Sequence, residues 1–98
     1  MASLGSARMQ LASSRRRIDR LDREIVRLLN ERARESVLVG SLKRNLRLPV
    51  RCRERETAVF GNVEQTNAGP LADEELTRIF RQIIRCMRDL QKQLRAEL

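Results

Sequence analysis

No proline occurs before position 49, and from about Arg8 to Leu46 apolar residues recur every three or four positions with only Gly40 interrupting. That spacing keeps side chains on one side of a helix, so the sequence predicts an unusually long first helix. Such a helix spans roughly 55 Å at ~1.5 Å per residue. A compact domain of about 100 residues has a radius of gyration of only ~13 Å. The rest of one chain cannot wrap this helix. Its apolar face therefore predicts a second copy, in an intertwined helical homodimer.

Pro49 is expected to end the first helix, because the residue before a proline is pushed out of the helical region. A short connection through Val50, Arg51 and Cys52 leads into a second helix, about Arg53 to Thr66, with Val59, Phe60 and Val63 as its apolar positions. Gly61 weakens it by up to ~1 kcal/mol relative to alanine. Asn67 to Pro70 form a break. A third helix follows from about Ala72 to Ala96, opening on Asp73, Glu74 and Glu75, where negative charge suits the helix dipole. Its stripe is Leu76, Phe80, Ile83, Met87, Leu90 and Leu94, with the polar Gln91 inside it. With aromatics at 2% and charged residues at 35%, this is the composition of helices packed on helices. The expected fold class is all-α, three helices per chain in a single domain spanning residues 1–98, with 1–11 a frayed N-terminus.

Helical phase also turns cations inward. Stepping along the first helix from Ile18 gives Leu21, Ile25, Leu28, Arg32, Ser36, Val39 and Lys43, with Arg15 close beside that face. A buried cation is costly without a partner, so either acids of this protein or an anion from outside must meet Arg32 and Lys43. The net charge of +8 favours anionic partners without choosing among nucleic acid, membrane surface and metabolite. The chain has no tyrosine or tryptophan to stack on bases, which argues against specific nucleic-acid binding. With no histidine and only Cys52 and Cys86, a structural zinc site and a Cys–His nucleophile are excluded within one chain, and no metal or other cofactor is expected. Both cysteines read as free thiols of a cytoplasmic protein. No apolar run approaches the ~20 residues a membrane span needs, so no membrane partner is expected.

Taken in order, several motifs resemble the all-helical chorismate mutases. Arg15, Ile18, Asp19, Leu21, Asp22, Ile25 and the run through Arg32 look like the family's opening helix, which Val39, Gly40 and Lys43 continue. Leu48-Pro49-Val50 followed by Arg55-Glu56 is similar to its connection into the second helix, and Asn67 to Leu71, Ile79-Phe80 and Gln91 match its last part. The resemblance covers roughly residues 12 to 92. It implies an isomerase of aromatic amino acid biosynthesis that rearranges the dianion chorismate to prephenate without a nucleophile or general base. By position it implies that Arg32 binds one carboxylate and Arg15 of a second subunit the other. It further implies that Lys43 and Gln91 donate to the ether oxygen, Glu56 holds the ring hydroxyl and Arg55 supports the carboxylates. Cys52 stands where the family often has aspartate, and Met87 where a small polar residue often lines the pocket.

Three other readings stay open on the residues alone. An isochorismate–pyruvate lyase of the same fold would use a similar cationic pocket. A mutase-like accessory domain of low activity would tolerate Cys52 and Met87. A basic helical nucleic-acid-binding module would account for the arginine count.

Overall fold

The computed structural model describes residues 3–96 and, among them, contains three helices and no strand. They are α1 (Leu4–Asn45), α2 (Arg53–Thr66) and α3 (Asp73–Ala96), so the all-α class and the three elements are as expected. No helix among the described residues is long and apolar enough to cross a membrane.

The helix boundaries correct the sequence reading at two points. First, α1 starts at Leu4, four positions before the expected Arg8 and inside the stretch expected to fray. Ser3 supplies the start signal: its Oγ accepts from the Ser6 N–H at 3.1 Å and its carbonyl from the Ala7 N–H at 2.9 Å, the work of an N-cap. Residues 1 and 2 of the expected frayed end lie outside the described residues.

Second, Pro49 is not what ends α1. The helix stops at Asn45, and Arg47 takes a left-handed φ of 57°. The Leu48 N–H then reaches the Lys43 carbonyl at 2.7 Å and the Arg47 N–H the Arg44 carbonyl at 3.0 Å. That pair of bonds is a Schellman closure, which satisfies the last carbonyls of the helix without help from the proline. At the other break, Asn67 ties the turn together. Its Nδ2 donates to the Leu71 carbonyl and to the Asp73 carboxylate, and its Oδ1 accepts from the Gly69 N–H. Gly69 has a φ of 75°, a conformation that suits a residue without Cβ.

The chain divides into two compact units, Met1–Arg32 and Ala33–Leu98. Within the first, the described residues from Leu4 onward form helix alone. Arg27 braces it by bonding Glu24 at 2.9 Å and Glu31 at 2.6 Å, and its hydrogen bond and charge hold the Glu24 carboxyl below its ordinary pKa. The apolar stripe of this unit, Ile18, Leu21, Ile25 and Leu28, is more than half exposed.

In the second unit α2 packs on α3, and the most buried side chains are Ile84, Met87 and Gln91. The buried line of α3 thus differs from the predicted stripe. It passes through Ile84, which that stripe omits, and only half buries Leu76, Phe80 and Leu94. The whole face is turned by part of a turn, so that Gln91 lies at its centre.

Candidate functional site

Gln91 is 7% exposed, and a buried amide needs partners. It finds them on the C-terminal part of α1. Nε2 donates to the Ser36 carbonyl at 2.7 Å and to Ser36 Oγ at 3.0 Å. This approach is close because residue 40 is glycine: a Cβ there would meet Gln91 Cγ at 3.0 Å. Both N–H groups of the amide are therefore engaged within the chain.

One turn further along α1, half-buried Lys43 donates from Nζ to the Val50 carbonyl at 2.8 Å. An ammonium carries three donors, so this bond fixes the side chain and leaves two for a ligand. From α3, Arg95 donates to the Leu48 carbonyl at 3.0 Å. The connection between α1 and α2 is thus held from both sides by cations.

At the start of α2, Glu56 sits between two guanidinium groups. Arg51 Nε is 3.3 Å from Oε2 and Arg88 is 3.9 Å from Oε1. Its side chain is only 17% exposed, and Oε2 is buried with no hydrogen bond among the described residues. That oxygen keeps its capacity to accept from a donor.

The other expected residues are placed as follows. Met87 is buried, and Cys52 is exposed at the N-cap of α2 with no capping bond from its side chain. Arg55 is exposed. Arg15 and Arg32 belong to the first unit, where Arg15 is exposed and Arg32 half-buried.

Cavities among the described residues of the second unit include two that reach an expected residue. One, of about 440 Å³, is lined by Val37, Gly40, Ser41, Arg44, Gln91, Leu94 and Arg95. The other, of about 280 Å³, lies between α2 and α3 and includes Glu56. Each takes in one expected site residue, so neither gathers the set. Ser36, Arg51, Arg88 and Arg95 were not singled out as functional from the sequence. A signal existed for most of them: Ser36 lies on the α1 stripe, and Ile84, Arg88, Gln91 and Arg95 recur at four, three and four residues along one line of α3.

Comparison with known proteins identifies the family. The profile of the family described as chorismate mutase type II matches residues 14–92. A bifunctional chorismate mutase/prephenate dehydratase of Aquifex aeolicus (strain VF5) is 37% identical over 90 residues, covering 88% of this chain and 25% of that protein. The chain therefore spans about a quarter of the length of that relative. Among solved structures, a chorismate mutase from Thermus thermophilus superposes with a TM-score of 0.83 at 34% identity, covering 85% of this chain and 94% of that one. A chorismate mutase from Helicobacter pylori, solved in complex with prephenate, gives a TM-score of 0.84 at 27% identity over 92% of this chain and 98% of that one.

Proposed function

The chain belongs to the chorismate mutase type II family, and on that premise we propose that it rearranges chorismate to prephenate. The observation that carries the reading is the profile match across residues 14–92, which contains every residue expected at the site. The chemistry agrees. A Claisen rearrangement is intramolecular: one carbon–oxygen bond breaks as a carbon–carbon bond forms, and no proton or electron pair is exchanged with the enzyme. It needs a folded substrate conformer and donors at the ether oxygen, where negative charge grows.

Lys43 is the principal donor in this reading. Its bond to Val50 holds the ammonium in place beforehand and leaves two protons for the ether oxygen. Gln91 serves the same oxygen once one of its N–H groups leaves Ser36. Glu56, held between Arg51 and Arg88, accepts from the ring hydroxyl through Oε2, which has no hydrogen bond among the described residues. Cys52 and Met87 line the pocket, and Arg55 supports the carboxylates, as the family's pattern implies.

Arg32 and, from a second subunit, Arg15 take the two carboxylates, for which bidentate guanidinium forks are well matched. The second subunit is supported by the apolar stripe of the first unit. Ile18, Leu21, Ile25 and Leu28 are 53%, 61%, 53% and 52% exposed, a patch that a monomer rarely presents to water. In this reading the protein is a homodimer with shared sites.

Incubation with chorismate tests the function. The expected result is stoichiometric loss of chorismate with prephenate as product, and a drop in turnover of about 10²–10³ in Lys43→Ala. Salicylate and pyruvate from isochorismate, with chorismate untouched, would assign the lyase reaction instead. No reaction with either substrate would remove the proposal.

A further inference from the structure

The cleft between α2 and α3, which shares only Glu56 with the residues assigned to chorismate, gathers an unusual charge set. Arg51, Arg81, Arg85 and Arg88 line it with Phe60, and Glu56 is the one acid among its described lining residues, which leaves three positive charges in excess. Arg81, Arg85 and Arg88 share one face of α3 because they are spaced by four and three. Arg81 lies over the Phe60 ring, 6.0 Å from its centroid, a stacked position that orients its guanidinium. Glu56 engages Arg51 and Arg88, while Arg81 and Arg85 have no carboxylate partner among the described residues.

We propose that this cleft binds a compact polyanion bearing two or more phosphate or carboxylate groups. Guanidinium groups present paired N–H donors that fit the oxygens of either group, and like charges held together gain most from an anion that bridges them. The cavity, at about 280 Å³, is at the small end for ligand sites, which favours a compact anion over an extended one. The cleft also touches the chorismate site through Glu56. An anion that draws Arg51 and Arg88 toward itself loosens their hold on Glu56, so occupancy raises KM for chorismate and leaves kcat nearly unchanged. That kinetic consequence rests on the mutase reading; the binding itself does not.

The test uses inorganic pyrophosphate, by titration calorimetry at constant ionic strength so that general attraction to a basic protein is held fixed. The expected result is one site per chain, retained in Lys43→Ala and weakened more than tenfold in Arg81→Gln/Arg85→Gln. Arg85→Gln alone keeps the Arg81 contact with Phe60 and shows a smaller loss in the same direction. No saturable site in the wild type, full affinity in the double variant, or loss of binding in Lys43→Ala overturns the proposal. In the kinetic arm, pyrophosphate raises KM in the wild type and has little effect in the double variant, whose basal kinetics are unchanged. An equal rise in both proteins places the anion in the chorismate site and overturns the coupling.

Discussion

The two units of this chain handle their apolar residues in opposite ways. In Leu4–Arg32 the stripe from Ile18 to Leu28 stays more than half exposed, since one helix cannot cover its own face. In Ala33–Leu98, Ile84 and Met87 are buried, but the same buried line ends on Gln91, a polar amide satisfied by Ser36. The first unit carries apolar surface without a cover; the second carries a polar group inside one. Hydrophobicity alone explains neither arrangement, whereas the proposed dimer around an anionic substrate accounts for both.

The sharpest way to break that comparison is to put charge on the first unit's stripe. Leu21→Glu with Ile25→Glu is expected to convert dimer to monomer, measured by light scattering after size exclusion, with turnover lost alongside. A variant that remains dimeric shows that this stripe is not the contact.

A smaller effect is expected where the second unit is tightest. Gly40→Ala places a methyl 3.0 Å from Gln91 Cγ. The strain, of about 1–3 kcal/mol for overpacking, exceeds the gain in helix propensity of up to ~1 kcal/mol, so thermal stability falls. Turnover falls with it, because Gln91 must shift. An unchanged melting temperature would show that α1 and α3 part easily at this point.

Gly61 provides the control. No described residue lies within 4 Å of a Cβ built there, so Gly61→Ala gains helix propensity without strain and raises stability by up to ~1 kcal/mol, read from denaturant unfolding. Arg47→Gly is expected to raise stability by a similar or smaller amount, since a φ of 57° costs a residue with a Cβ about 1 kcal/mol, partly offset by glycine's greater chain entropy. A loss of stability in Arg47→Gly would mean that its side chain matters more than its backbone.

Much of this was legible in the sequence because helical order is written locally. The periodic spacing located all three helices, and the range of α2 was read correctly. What escaped were features set by single side chains or by packing. Ser3 is an ordinary residue until its Oγ caps α1, and Arg47 gives no warning of a left-handed turn that glycine usually makes. The α3 stripe was read as Leu76, Phe80, Ile83, Met87, Leu90 and Leu94 with Gln91 inside it. Because Ile84 and part of Arg88 also belong to the buried line, the predicted stripe pointed slightly off its true axis. At the candidate site, Lys43, Gln91 and Glu56 stood out through the family resemblance, while their supports Val50, Ser36, Arg51 and Arg88 act through a carbonyl, a hydroxyl and surface-like arginines that sequence does not distinguish from their neighbours.

The central claim is that two chains share each site, one giving Arg32 and the other Arg15. It is tested most directly by mixing Arg15→Ala with Arg32→Ala, each inactive alone, under conditions of proven subunit exchange. Half of the dimers then contain one chain of each kind, and each of these has one intact site. The account predicts recovery to about a quarter of wild-type turnover. Complete exchange with no recovery would contradict it.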